Sequence, residues 1–283
     1  MRIAITGSNG MLGQDMVACL AVHHEVIPLT RSDADITNPG SVTVALQSVK
    51  PEIVIHAAAF TAVDECELRP ELAMLVNAEG TRHVAQACVR LGSALMLVST
   101  DYVFDGEKTG SYEEDDAPRP INQYGRSKLA AEQYVQTLVE KFWIVRISWL
   151  FGPKGRNFVK AILAKAAREG ALKVVNDQFG SPTYTWDVAV KIGEMITRAK
   201  HGIYHVTNQG HCSWFDFAKE IVSQAGYAGV KIDPIPSSAA ERPAPRPHNS
   251  RLANTGLLRE GLGLLPTWQD ALSRYMKRDG ALS

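Results

Sequence analysis

The chain has 283 residues, with 30 basic residues against 30 acidic ones and a formal net charge of zero. That length carries one large or two modest domains with a real core, and the charge balance excludes an overall field for nucleic acid or an anionic membrane. Cys19, Cys66, Cys88 and Cys212 contain no CxxC pair, so buried free thiols are expected rather than a disulfide framework or a structural zinc. Ile3–Ala4–Ile5 reads as a short apolar strand, Gly7–Ser8–Asn9–Gly10–Met11–Leu12–Gly13 as a glycine-rich turn, and Asp15 to Leu20 as a helix. Strand, glycine turn and helix is the context in which a backbone approaches a pyrophosphate, which the helix N-terminus then binds through free N–H groups and its dipole.

A second strand, His24 to Leu29, ends at Thr30 and Arg31, with Asp33 beyond. At such a strand tip an acid would bind an adenosine 2′-hydroxyl, whereas an arginine accommodates a 2′-phosphate. The tip favours NADPH without excluding NADH. Pro39 opens a helix to about Val49, with Thr37 or Asn38 as cap. Ile53–Val54–Ile55–His56 is a buried third strand fading into Ala57–Ala58–Ala59, small residues that let a ligand come close to the backbone. His56 reads as a strand-end histidine hydrogen-bonded in place, not as a base.

Pro70 to Leu91 reads as one long helix and Ala94 to Val98 as the fourth strand, which delivers Ser99 and Thr100 at its C-terminal end. Ligands bind outside those ends in an open parallel sheet. The acidic loop Glu107, Glu113, Glu114, Asp115 and Asp116 reads as a solvated face. Asn122 to Lys141 is a helix carrying Tyr124 and Lys128, four apart and so on one face. A phenol and an ammonium on one face, with a hydroxyl beside them, suit proton transfer to or from a carbonyl or alcohol.

Trp143 to Ser148 is a fifth strand, and the alternation so far implies a doubly wound parallel α/β sheet. Beyond Gly152 come a helix over Asn157–Glu169, a short strand at Leu172–Val175 and a polar turn at Asp177–Thr183. A helix over Asp187–Ala199, a strand near Ile203–Val206 and a helix over Ser213–Gln224 follow. The segment Pro234 to Pro247 cannot be interior helix or strand. Its Arg242 and Arg246 suit either a diphosphate clamp or a surface strap. A last helix spans about Thr267 to Lys277. No signal-like or membrane-length apolar run is seen, and the chain reads as soluble and cytoplasmic.

The GxxGxxG spacing resembles the extended short-chain dehydrogenase/reductases. Taken with Ala57 to Asp64, Ser99–Thr100–Asp101–Tyr102–Val103–Phe104–Asp105–Gly106, Tyr124–Gly125–Arg126–Ser127–Lys128, Ser148–Trp149, Asn157–Phe158, Asp177 to Thr183 and the Arg-Pro-Ala-Pro-Arg-Pro stretch with Asn249 to Leu252, the sequence resembles the dTDP-4-dehydrorhamnose reductase family over nearly its whole length. The resemblance implies a Rossmann-like dinucleotide-binding domain over residues 1–150, taking in about 183–207, and a smaller α/β substrate domain over 151–283. It implies NADPH-dependent reduction of the C4 ketone of a dTDP-sugar in rhamnose synthesis for surface polysaccharide.

It also implies roles. Gly7, Gly10, Met11, Leu12 and Gly13 would meet the cofactor pyrophosphate, Thr30 and Arg31 the ribose end, Asp35 and Ile36 the adenine, and Ala59, Phe60 and Thr61 the cofactor behind the third strand. Thr100, Tyr124 and Lys128 would be catalytic, the last two also touching the cofactor. Thr100, Asp101, Tyr102, Trp149, Asn157 and Arg242 would bind the sugar nucleotide. Some relatives hold magnesium at a dimer interface, but here only Asp15 matches an acid and Trp186 stands at a ligand position, so no metal is expected and a homodimer is left open. The rivals are an epimerase or dehydratase on the same fold, and a non-catalytic NADP-binding regulatory subunit. A dehydratase needs an acid and a base after the threonine, and here Asp101 is followed by Tyr102.

Overall fold

The strands that read as apolar runs are buried on both faces, which only a parallel sheet covered by helices on each side provides. The computed structural model describes residues 1–227 and 229–278; Ala228 and residues 279–283, the end of the expected second domain, lie outside them. The elements begin β1 (Arg2–Thr6), α1 (Met11–Leu20), β2 (Glu25–Leu29), α2 (Pro39–Val49), β3 (Ile53–His56), α3 (Val63–Leu68), α4 (Pro70–Ala73), α5 (Gly80–Leu91) and β4 (Ala94–Thr100). There follow α6 (Gln123–Leu138), β5 (Phe142–Ile147), β6 (Leu150–Phe151), α7 (Phe158–Ala166), β7 (Ala171–Val175), β8 (Phe179–Gly180), β9 (Thr183–Tyr184) and α8 (Thr185–Arg198). The chain continues through β10 (Gly202–His205), β11 (Cys212–Ser213), α9 (Trp214–Gln224), β12 (Lys231–Ile235), α10 (Thr255–Arg259) and α11 (Trp268–Arg278).

Six described strands form a parallel sheet in the order β10-β5-β4-β3-β1-β2. α1 and α8 bury Leu12, Met16, Val188 and Ile192 on one face, while α2, α5 and α6 bury Val42, Val84, Ala131 and Val135 on the other. The sheet is doubly wound, a mixed α/β Rossmann architecture. The chain leaves β1 toward β2 and returns to β3 on the other side, so a crevice opens at the C-terminal ends of β1 and β3. A separate apolar cluster gathers Phe151, Val159, Leu172, Tyr184, Phe217, Leu272 and Tyr275, from β6, α7, β7, β9, α9 and α11.

Several local expectations need correction. α1 starts at Met11, four residues before Asp15, because the glycine turn packs directly under it: a Cβ on Gly13 would stand 2.2 Å from the Gly7 carbonyl oxygen. Glycine's low helix propensity misleads where a close backbone approach is required. The long helix over Pro70–Leu91 is divided by a π turn at Met74–Glu79, which widens the helix by one residue and turns Asn77 inward. α6 ends at Leu138, since Val139 is already extended toward β5.

The polar turn at 177–183 holds the short strands β8 and β9. Pro234 stands inside β12, which pairs only with β7 in a two-stranded ribbon where an edge position needs no N–H. The acidic loop is not wholly solvated. Glu114 is buried and accepts hydrogen bonds from the His205 and Gly256 amides at 3.0 and 2.9 Å and from the Thr255 hydroxyl. A carboxylate in an acidic run becomes a core residue when backbone donors converge on it. Cys66, Cys88 and Cys212 are buried, and Cys19 half-buried. Among the described residues no helix is long and apolar enough to cross a membrane.

Candidate active site

At the switch point a cavity of about 430 Å³ is lined by Gly7, Gly10, Met11, Leu12, Gly13, Ala59 and Thr61 on one side. Thr100, Asp101, Tyr102, Tyr124, Lys128 and Trp149 line the other. Residues far apart in sequence thus share one space. Gly7 has φ +69° and its Cα faces the Ala58 amide, where a Cβ would come within 2.6 Å. No side chain caps α1 at Gly10, and no acid lies in its first turn. The N–H groups there present an electropositive cradle, which fits the pyrophosphate of a dinucleotide.

β4 carries Thr100 to the cavity. Its hydroxyl donates to Asp101 Oδ1 at 3.0 Å and accepts from the Tyr102 amide at 3.2 Å. Asp101 Oδ2 accepts from the Ser148 hydroxyl at 2.9 Å. Burial pushes the Asp101 carboxyl up to about 6, against the hydrogen bonds from Ser250, Ser148 and Thr100 that favour its charged form. The Tyr102 phenol is pushed up to about 12, mainly by burial.

α6 brings the phenol and the amine. Gly125 lies so close to the loop after β4 that a Cβ would stand 2.1 Å from the Tyr102 carbonyl oxygen, which seats the helix start against the Thr100 strand end. Asn122 caps it by accepting from the Gly125 amide at 2.8 Å. Lys128 is buried and donates to the Val98 carbonyl at 2.7 Å. Burial pushes its ammonium down to about 8, with Glu132 opposing that shift. Burial likewise raises the Tyr124 phenol above its usual value, so it is protonated at neutral pH, while Thr100 favours its ionised form.

Trp149 has φ +43°, a left-handed conformation rare for a bulky residue. Its indole stacks on Trp214 with centroids 3.4 Å apart and planes 5° off parallel. It also meets Gly180, where a Cβ would come within 2.3 Å of the ring. Trp214 also lines the cavity, and no sequence signal marked it.

Some expected site residues lie elsewhere. The Thr30 amide and hydroxyl donate to Asp33 Oδ2 at 2.8 and 2.6 Å. Arg31 is exposed, 3.7 Å from Asp35, whose carboxyl is held below the usual range by hydrogen bonds from Thr37. Ile36 is buried against Gly80. These four cluster past β2, beyond the described lining of the cavity. Phe60 is clamped by Asn77, whose Oδ1 accepts its N–H at 2.7 Å and whose Nδ2 donates to its carbonyl at 3.0 Å. The same Nδ2 donates to the Ser127 hydroxyl at 2.9 Å, so the π turn ties the Ala59–Thr61 loop to α6.

Asn157 spends its side chain capping α7, accepting from the Lys160 amide and donating to the Gly152 carbonyl. Arg242 lines a second cavity of about 510 Å³ with Asp177, Ser237, Arg246 and His248. Arg246 pairs with Asp64 at 2.8 Å and reaches the Tyr102 phenol, so the proline-rich strap is bound to the sheet domain beside the first cavity. His56 is buried between Thr6 and Thr81, at 2.6 and 3.1 Å, and burial holds it neutral, down to about 3. Asp15 accepts from Thr185 at 2.5 Å, and Trp186 lies under Arg278 at 4.1 Å.

Comparison with known proteins adds to this geometry. Residues 1–280 match the family model of the RmlD substrate binding domain. A dTDP-4-dehydrorhamnose reductase of Aggregatibacter actinomycetemcomitans is 41% identical, over 96% of this chain and 97% of that protein. One from Burkholderia thailandensis is 38% identical over 96% and 97%. The crystal structure of the Bacillus anthracis dTDP-4-dehydrorhamnose reductase, in complex with NADP, superposes with a TM-score of 0.95 at 41% identity, covering 98% of this chain and 99% of that one.

Proposed function

The chain belongs to the dTDP-4-dehydrorhamnose reductase family, and from that membership we propose that it reduces the C4 ketone of dTDP-4-dehydro-L-rhamnose to dTDP-L-rhamnose with NADPH, the closing step of dTDP-rhamnose synthesis for surface polysaccharide. The observation that carries this reading is the meeting of Thr100, Tyr124 and Lys128 in one cavity with the uncapped N-terminus of α1. Residues 1–150 with about 183–207 bind the dinucleotide, and the residues beyond 151 mainly hold the sugar nucleotide. Four free cysteines agree with action in a reducing cytoplasm.

NADPH, when bound, supplies the hydride. Its pyrophosphate would be held by the N–H groups at Gly10, Met11 and Leu12, and the exposed Arg31 guanidinium would pair with a 2′-phosphate beyond β2. Ala59, Phe60 and Thr61 form the wall behind β3. As the ketone oxygen gains negative charge, the Tyr124 phenol gives it a proton. Lys128 stabilises the tyrosinate that remains; one N–H is spent on Val98, which leaves two for the nicotinamide ribose. The Thr100 hydroxyl turns from Asp101 to orient the substrate oxygen. Asp101, Tyr102 and Trp149 bound the sugar, Asn157 shapes that end through its cap on α7, and Arg242 faces the diphosphate from the strap.

Among the described residues lining the cavity, Asp101 is the sole carboxylate. That speaks against a dehydratase, which needs an acid and a base. An epimerase would retain its oxidised cofactor, and a regulatory subunit would not consume NADPH. The test is NADPH oxidation, followed spectrophotometrically, that depends on dTDP-4-dehydro-L-rhamnose. Tyr124→Phe is expected to bind NADPH normally and to lose on the order of a hundred- to ten-thousand-fold in turnover; near-normal turnover would refute the assignment of the proton donor.

A further inference from the structure

One helical turn beyond Lys128, Glu132 is fully buried, and its carboxylate is completely satisfied. Oε1 accepts from the Ser99 hydroxyl at 2.5 Å and from Arg146 Nε at 3.0 Å, while Oε2 accepts from an Arg146 terminal nitrogen at 2.7 Å. Ser99 continues the Leu95 and Leu97 face of β4, which α6 covers, and it immediately precedes Thr100. Ser99 and Arg146 are register partners across β4 and β5. The carboxylate therefore joins α6 to both strands at the level where the cavity begins.

We propose that Glu132 is a positioning residue of the reduction, clamping the end of β4 to α6 through Ser99 and Arg146 so that the Thr100 hydroxyl and the Tyr124–Lys128 pair keep one spacing. The proposal rests on the roles assigned above to those three residues. A clamp is required there because the two halves of the constellation sit on different elements: Thr100 moves with β4, Tyr124 and Lys128 with α6. The Lys128 bond to the Val98 carbonyl is the companion tie, two residues before Thr100. Reacting groups displaced by about 1 Å lose on the order of a hundredfold in rate.

Glu132 has a second effect through its charge. Facing it are Arg146 from β5 and Ser99 from β4. Behind Arg146 lie His205 of β10, whose Nε2 is 3.4 Å from the guanidinium, and Glu114, whose carbonyl accepts from it. Around Lys128, Glu132 of its own helix acts on its charge, Tyr124 lines the same cavity, and the charge of Lys128 reaches His56 of β3, a neutral group. Burial works against the lysine's charge and Glu132 works for it. Loss of the carboxylate's charge accordingly moves Lys128 deprotonation to lower pH.

The experiment compares Ser99→Ala, Glu132→Gln and Tyr124→Phe in the full chain, with thermal unfolding to establish folding and NADPH binding measured separately. Ser99→Ala removes one hydrogen bond and leaves the buried ion pair, so it should fold, bind NADPH as before and lose on the order of tenfold or more in kcat. Glu132→Gln should add a shift of the basic limb of the kcat–pH profile to lower pH, which Ser99→Ala does not show. Should Glu132→Gln fail to fold, the Glu132→Gln/Arg146→Met pair, which leaves no unpaired guanidinium, takes its place in the pH measurement. Unchanged kcat in Ser99→Ala together with an unmoved basic limb in the Glu132 variant overturns the proposal. Near-normal turnover of Tyr124→Phe instead overturns the catalytic reading on which it rests.

Discussion

Asp101→Asn isolates the consequence of burying a carboxyl group under the cavity. Asp101 has its titration raised from 3.8 to about 6, chiefly by burial. Well below the unfolded value of 3.8 the carboxyl is protonated in both folded and unfolded chains. As pH rises the unfolded chain ionises first, so the native state binds more protons and stability falls with pH. Above about 6 the native carboxyl ionises too and the loss saturates. A difference of about two pH units at 1.36 kcal/mol each gives about 3 kcal/mol, of which roughly 2 kcal/mol falls between pH 4 and pH 8.

The sign is opposite to that of a salt-bridged aspartate, whose stabilisation grows with pH. The substituted amide cannot ionise, so the stability of the variant relative to the parent should improve by that amount between pH 4 and pH 8. Urea unfolding at each pH, followed by tryptophan fluorescence and extrapolated linearly, measures it. Other titrating groups cancel in the difference between the two proteins. A difference that does not change with pH would refute the argument, whatever its absolute size.

Gly13→Ala places a methyl group 2.2 Å from the Gly7 carbonyl oxygen, a contact with backbone that cannot rotate away; NADPH affinity by titration calorimetry should fall at least tenfold. Asn77→Ala strands the Phe60 amide and loosens the loop from α6. It should destabilise the protein by roughly 2–3 kcal/mol in urea, with a rise in the Kd for NADPH larger than any fall in kcat.

The parallel alternation, the glycine turn and the Tyr–Lys pair were legible in the sequence because each is local: apolar runs, backbone freedom and helical spacing are properties of a few neighbouring residues. The dTDP-4-dehydrorhamnose reductase resemblance was legible for the same reason, as short motifs in order. Asp101 could be named as a carboxylate beside the threonine, but its raised titration depends on burial in the folded chain, which outweighs the hydrogen bonds from Ser148 and Ser250 that favour its charged form.

Glu114 shows the limit most plainly. Within its acidic run nothing distinguishes it from Glu113, yet amides from β10 and α10 meet at its side chain and only there. Trp214 comes to face Trp149 because the start of α9, 65 residues further along the chain, returns to the cavity. Composition and spacing, being local, determined the sheet, the dinucleotide turn and the proton-transfer pair of this protein. The tertiary structure decided which buried charges are satisfied, which aromatic closes the pocket and what holds β4 against α6, since each depends on donors and surfaces contributed by distant parts of the chain.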